Sequence, residues 1–179
     1  LTETEPTRCR LLFILPFCFP GTDWGRERHF LDLGTIGSDL TQLNLLYRYS
    51  GYFGTEVVPE ITEPEGEDGP IAVAFVVNRG DGVVVDSVVV EGTEGIADPD
   101  SLEAEVPLRA GELFHLGEFL ASADTVLGAL RRQGHAYAEV LRNYGVDTVR
   151  DRATAWLVGI PGPRVVIDSI VVEGLDVLG

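Results

Sequence analysis

The residue types that most often carry out chemistry are present in this chain, but their spacing indicates no reaction. The cysteines are Cys9 and Cys18, and the histidines are His29, His115 and His135. The histidines share no metal-ligand spacing with each other or with the cysteines, so we expect structural histidines and no metal site. The chain contains neither a glycine-rich phosphate loop between a strand and a helix nor a Gly-x-Ser-x-Gly nucleophile motif.

Acidic residues are so numerous that no pair of them is marked as catalytic. The chain has 29 Asp and Glu against 13 basic residues, all arginine, and a formal net charge of −16. A glycosidase needs two carboxylates that converge in a cleft, and nothing singles out Asp98 and Asp100 or Glu103 and Glu105. The acidic segment 63–69 lacks the spacing of a calcium loop and is predicted as a solvated turn. We therefore expect no enzyme and no cofactor; a hydrolase that uses these acids is one alternative.

Charge and hydropathy exclude several partners. A chain of this net charge without a basic run does not neutralise the phosphates of nucleic acid, nor does it offer a basic cluster to anionic lipid. The longest apolar run, residues 11–20, is interrupted by Pro16 and is too short to span a bilayer. Because the first residue is Leu1 rather than Met, we expect a piece of a longer protein.

A repeat of about eighty residues organises the chain. The segment 83–92 recurs as residues 165–174 at an offset of 82. Residues 46–57 are echoed by residues 130–140, in which Gly51 corresponds to Gly134 and Val57 to Val140, both at an offset of 83. Two echoes in the same order predict tandem modules. We assign residues 1–82 to an incomplete module, residues 83–164 to a complete one and residues 165–179 to the first strand of a further one.

The complete module is predicted to contain a strand, two helices and two strands. A β-branched run forms the first strand, Asp98 and Pro99 begin the first helix, and an apolar stripe that ends before Gly134 marks the second. The predicted ranges are 83–92, 98–106, 116–133, 137–144 and 153–160.

The incomplete module shows only the later elements of this order. We predict a helix capped by Ser38 and ended by Gly51, followed by strands over 55–61 and 71–77. Large and smaller residues alternate in the last strand, as in a sheet that helices cover on one face. No matching first strand precedes residue 30, and residues 1–29 are interpreted as an insertion.

These modules resemble POTRA domains, the periplasmic modules of BamA/TamA-type outer-membrane assembly proteins. Gly51-Tyr52 followed by Glu56-Val57 fits the family pattern after the second helix, as do Gly134 and Glu139-Val140. His135 departs from the tyrosine of that pattern. The resemblance implies an α+β fold in which each βααββ module has a small three-stranded mixed sheet with two helices on one face. BamA-like, TamA-like and two-partner-secretion relatives all stay open.

The resemblance implies a periplasmic docking scaffold. Its partners would be unfolded outer-membrane polypeptides, accessory assembly subunits and a C-terminal membrane β-barrel of the parent chain, with no nucleic acid. In this family the strand after the second helix lies at the sheet edge, where an extended client can pair with it. The implied edge residues are Thr55, Glu56, Val57, Val58, Glu60 and Ile61 in the first module and Glu139, Val140, Leu141, Arg142, Asn143 and Tyr144 in the second.

Alternatives to client binding remain at these edges. In one alternative the exposed edges have no function and are only tolerated; in another they pair with the neighbouring module. Pro59 removes one hydrogen-bond donor from the edge of the first module. The alternative function is a POTRA-like module of a cell-envelope or cell-division scaffold that binds one folded partner.

Two further roles depend on side chains. Aligning the modules sets Leu157 opposite Phe75 on the helix-covered face, so Trp156 is predicted on the open face, where it either anchors a partner or packs under a neighbouring module. In a periplasmic protein a disulfide between Cys9 and Cys18 is expected; the alternative is two buried thiols.

Overall fold

The computed structural model describes residues 4, 8–12, 15–17, 26–27, 31–62, 71–172 and 174. The chain divides into two compact units, Leu1–Asp81 and Gly82–Gly179. The division lies one residue from the boundary that the repeat predicts. The Cys9–Cys18 pairing and the acidic turn 63–69 fall outside the described residues.

The first unit contains one helix and two separate groups of strands. Strand β1 pairs antiparallel with both β2 and β3, and β4 pairs antiparallel with β5. In the part of the chain that the structure describes, no strand of the first group pairs with β4 or β5. The elements are β1 (Arg8–Leu12), β2 (Leu15–Phe17), β3 (Arg26–Glu27), α1 (Leu33–Tyr49), β4 (Glu56–Ile61) and β5 (Val73–Asn78).

Helix α1 begins earlier than the sequence predicts. The carboxylate of Asp32 accepts hydrogen bonds from the Gly34 N–H at 2.9 Å and the Thr35 hydroxyl at 2.8 Å. The Thr35 hydroxyl and then the Gly34 N–H lower the pKa of Asp32, because both bond its ionised form. Asp32 is therefore the N-cap, and the prediction of Ser38 is wrong, since Ser38 lies within the helix.

The second unit has the predicted order of strand, helix, helix, strand and strand. Its three-stranded sheet has the order β6-β8-β7, in which β6 runs parallel and β7 antiparallel to the central β8. This mixed sheet confirms the predicted fold class. The elements are β6 (Val84–Glu91), α2 (Pro99–Glu105), α3 (Leu116–Arg132), β7 (Glu139–Asp147) and β8 (Arg152–Ile160).

The helices of the second unit cover one face of its sheet. Ala153, Ala155 and Leu157 alternate along β8 and are at most 1% exposed, because their side chains face the core. The ring of Tyr144 lies 5.0 Å from that of Phe114 and 5.2 Å from that of Phe119, measured between ring centroids. These aromatic contacts join β7 to the segment that begins α3.

Local hydrogen bonds fix the ends of the two helices. Asp98 caps α2, as predicted, by accepting from the Ser101 N–H at 3.2 Å. His115 caps α3 by accepting from the Gly117 N–H at 3.2 Å. The buried Ser122 hydroxyl donates to the Glu118 carbonyl and accepts from the Leu108 N–H, which ties the connection between the helices to α3.

The segment after β8 differs from its prediction. Residues 161–172 form neither helix nor strand, although residues 165–174 repeat the sequence of β6. Val166 is 83% exposed and Ile170 is 78% exposed. A strand needs a hydrogen-bonded neighbour, and none of the described strands pairs with this segment. Its assignment to a further module stays a prediction.

The glycine that follows β6 lies against the end of β8. Gly92 has φ +72°, a conformation that residues with a Cβ rarely adopt, and a Cβ there would overlap the carbonyl oxygen of Gly159. The Val-Val-Glu-Gly ending of the repeat therefore has a structural cause: only glycine allows the chain to turn this close to β8.

We predict that Gly92→Ala destabilises the second unit by about 3 kcal/mol, because left-handed strain adds to a backbone overlap. Gly95→Ala is the matched control, since Gly95 has φ +78° with nothing within 4 Å of a built Cβ. It should cost about 1 kcal/mol. The free energy of unfolding from urea titration tests both, and equal losses would show that the approach to Gly159 is unimportant.

Candidate functional site: an open sheet edge and its uncovered face

The edge of the sheet at β7 is its open edge. On the opposite side, the beginning of the outer edge of β6 is covered by the chain that follows α2. There the Val85 N–H donates to the Glu112 carbonyl, the Gly111 N–H donates to the Val85 carbonyl, and the Phe114 N–H donates to the carbonyl of Val83 just before β6, each at 2.8 Å. Among the described strands, β7 pairs only with β8. It contains the predicted edge residues 139–144 and continues to Asp147.

Two hydrogen bonds show which β7 groups face outward. The Tyr144 N–H donates to the side chain of Asn143 at 2.9 Å instead of to β8. On the other side of β8, the Val84 N–H donates to the carbonyl of Asp151, which sets the same alternation. Since backbone groups alternate in direction along an antiparallel strand, the outward donors are those of Val140, Arg142, Tyr144 and Val146.

Asn143 occupies one of these donors with its own side chain. Its Oδ1 accepts a hydrogen bond from the Tyr144 N–H, which faces away from β8. The sequence analysis missed this contact. A short amide side chain that bonds nearby backbone is common in loops, and inside an alternating strand pattern no sequence signal distinguishes it.

The edge of the first unit lacks a donor that β7 has. The Thr62 N–H donates to the Ala72 carbonyl at 2.9 Å, so the backbone of Val57, Pro59 and Ile61 faces away from β5. Proline has no N–H, and only two outward donors remain in β4. Thr55 lies just before β4, and its hydroxyl donates to the carbonyls of Tyr52 and Arg79.

The two edges thus differ at one equivalent position. The repeat offset of 83 places Pro59 opposite Arg142, and the pairs Pro59–Phe75 and Arg142–Leu157 are equivalent in register. Arg142 keeps the outward donor that Pro59 lacks. The edge of the second unit is therefore the more complete template for an added strand.

The face of the sheet opposite the helices is uncovered and contains Trp156. Leu157 is fully buried, whereas Trp156 is 38% exposed. An open cavity of about 430 Å³ borders the indole; it is lined by Gly145, Thr154 and Trp156 and, around them, by Asp86, Asp147 and Arg152. The side of the sheet on which Trp156 lies agrees with the sequence alignment, and its role stays a prediction.

The turn between β7 and β8 is held by Asp147. Its carboxylate accepts from the N–H groups of Val149 at 3.0 Å and Arg150 at 3.1 Å, and the Arg150 guanidinium lies 3.3 Å from it. The backbone N–H of Arg150, followed by that of Val149, lowers the pKa of Asp147. The turn therefore fixes the end of the edge strand next to the cavity.

The described residues meet neither the requirements of a metal cluster nor those of a membrane-spanning helix. They contain no cluster of three or more His, Cys, Asp or Glu side chains that could hold a metal ion. None of the described helices combines the length and the apolar character needed to cross a membrane. His115 serves as a helix cap, and the His135 ring contacts the Gly162 carbonyl at 3.0 Å.

Comparison with known proteins gives one matching family. A sequence model described as "POTRA: Surface antigen variable number repeat" matches residues 83–174, just over half of the chain. The outer membrane protein assembly factor BamA of Neorickettsia risticii is 28% identical over 119 residues, which are 66% of this chain and 16% of that protein. The chain thus spans about a sixth of this relative.

Solved structures with a similar arrangement are more distant. POTRA3-5 of Haemophilus influenzae BamA has a TM-score of 0.46 and 19% identity, over 73% of this chain and 51% of that one. POTRA1-2 of the periplasmic domain of Omp85 from Anabaena has a TM-score of 0.44 and 15% identity, over 71% and 73% of the two chains.

We predict that the pKa of Asp147 lies below the ordinary aspartate value and stays lowered in Arg150→Ala, because the two backbone donors persist. Hydrogen bonds to the ionised form stabilise the turn above the ordinary pKa, and this contribution is lost as pH falls through the lowered pKa. A carbon-detected NMR titration of the carboxyl group measures both proteins. A return to the ordinary value in Arg150→Ala would assign the shift to the guanidinium instead.

Proposed function

The chain belongs to the POTRA family, and on that premise we propose that it is part of the periplasmic arm of an outer-membrane protein assembly factor. There it docks unfolded outer-membrane polypeptides by adding them as strands to a sheet edge. The likeness to the Neorickettsia BamA protein supports this proposal. By the same likeness, the parent chain would carry a membrane β-barrel, and accessory assembly subunits would bind other surfaces.

The observation that carries the proposal is the open edge of β7. The outward N–H groups of Val140, Arg142 and Val146 lie on a strand that pairs with one neighbour, β8, in the described part of the chain. Every polypeptide offers the same backbone donors and acceptors, so pairing of this kind tolerates many client sequences. That tolerance suits a receptor for unfolded chains of differing sequence.

The two edges would contribute unequally to docking. An added strand on β4 meets Pro59, where neither a donor nor room for the usual ladder bond is available. An added strand on β7 meets the Arg142 N–H at the equivalent position. We therefore assign the principal docking edge to β7 and a weaker role to β4.

Asn143 would protect the edge between clients. Exposed edges promote uncontrolled pairing between chains, and proteins often blunt them. The bond from the Tyr144 N–H to Asn143 Oδ1 satisfies one donor without a partner strand. A client carbonyl would replace this oxygen, and the amide would then turn toward solvent.

We predict that Arg142→Pro weakens binding of an extended client at least about fivefold, because it removes the outward donor at the centre of the edge. The β7–β8 ladder should survive, since the Arg142 N–H does not face β8. Arg142→Ala, which keeps the N–H and removes the guanidinium, is the matched control and should bind like the unaltered chain. The measurement is an NMR titration with a synthetic peptide that copies one membrane strand of a β-barrel protein.

The reverse substitution in the first unit completes this experiment. Pro59→Arg restores an outward donor to β4 and should strengthen binding there. Circular dichroism of each variant checks that the fold is retained. Equal affinities for Arg142→Pro and Arg142→Ala would contradict strand addition at β7, and loss of binding in both would indicate that the guanidinium is the recognised group.

A further inference from the structure

We propose that Trp156 forms a subsite that selects an aromatic side chain from a strand paired with β7. The subsite is the exposed surface of the Trp156 indole where the ring reaches over Gly145 toward the sheet edge. This inference rests on the proposed docking at β7 and adds a preference that backbone pairing alone does not supply.

The indole leans from the central strand toward the edge. In the register of the sheet, Trp156 lies opposite Asn143, and Thr154 lies opposite Gly145. A Cβ built on Gly145 would nevertheless lie 3.3 Å from Cζ3 and 3.4 Å from Cη2 of Trp156. The ring therefore reaches diagonally over the glycine, where every other residue type would place a side chain.

An added strand would bring one of its side chains to this space. Outward hydrogen bonds from Tyr144 and Val146 would flank the client residue opposite Gly145, so that this pair would be a non-hydrogen-bonded one. In such pairs the Cα atoms are closest, at about 4.5 Å, and both side chains point to the same face. With no side chain on Gly145, the client side chain would meet the Trp156 ring directly.

The size and chemistry of the space favour an aromatic occupant. The adjoining open cavity of about 430 Å³ exceeds what a small aliphatic side chain fills. Trp156 is the aromatic residue of its lining, which also includes Thr154 and the charged side chains of Asp86, Asp147, Arg150 and Arg152. Aromatic pairs gain about 0.5–1.5 kcal/mol beyond the burial of their area. This gain corresponds to a preference of about two- to tenfold over a small aliphatic side chain.

The competing explanation is that the indole only shields the backbone of the edge glycine. Large aromatic side chains on neighbouring strands are known to cover glycines in this way. Shielding predicts a stability role for Trp156 and no preference among clients. The two explanations therefore differ in a binding measurement.

The test uses two nine-residue peptides of alternating threonine and serine, one with phenylalanine and one with alanine at its centre. Each is titrated into the 179-residue chain, and the indole N–H signal of Trp156 is followed by NMR; Trp156→Leu identifies it, because the chain has 2 tryptophans. We expect the phenylalanine peptide to bind about two- to tenfold more tightly and to move the Trp156 signal.

Variants separate the subsite from the edge. In Trp156→Leu, and in Gly145→Thr, which fills the space above residue 145, the two peptides should bind equally while backbone pairing persists. A preference that survives in both variants overturns the subsite and leaves docking at β7 intact. In Arg142→Pro, both peptides should lose affinity together; if neither does, the proposed docking at β7 is wrong, and the subsite falls with it.

Discussion

The position of β8 between a parallel and an antiparallel neighbour is the constraint on which the rest of the second unit depends. A parallel neighbour cannot be reached by a hairpin, so the two helices must lie in the crossover between β6 and the last two strands. The order β6-β8-β7 then leaves β7 at the edge, although β7 precedes β8 in the chain. The close approach of Gly92 to Gly159 lets the crossover leave β6 beside the end of β8.

The same constraint gives the sheet two unlike faces and two unlike edges. The crossover helices cover one face, and the chain between them reaches back to bond the outer edge of β6 through residues 111–114. Among the described residues of the second unit, none pairs in this way with the outer edge of β7. The β7 edge and the partly exposed indole of Trp156 lie next to each other on the part of the sheet away from this connection.

The helices and strands with a periodic or repeated sequence pattern could be predicted from the sequence. Features that depend on a single contact, such as the residue that caps a helix, could not. The 82-residue repeat and the apolar stripe of α3 located the strands and helices of the second unit closely. Asp32 replaced Ser38 as the cap of α1 because two nearby donors converge on its carboxylate, which no spacing rule revealed. Residues 165–172 show where a sequence pattern is insufficient: nearly the same sequence forms β6, but here it forms no strand and none of the described strands pairs with it.

Under the proposed docking, the edges of the two units would bind an extended segment with different strength. Strand addition depends mainly on backbone groups, so the presence or absence of one N–H changes it directly. Pro59 and Arg142 occupy equivalent edge positions and differ in that group. Asn143 covers a donor of the second edge reversibly, because its amide oxygen accepts from the Tyr144 N–H and a carbonyl of a partner strand could replace that oxygen. Pro59 removes a donor permanently from the edge of the first unit, whereas Asn143 covers one only reversibly. An extended segment would therefore pair preferentially with β7, beside Gly145 and Trp156.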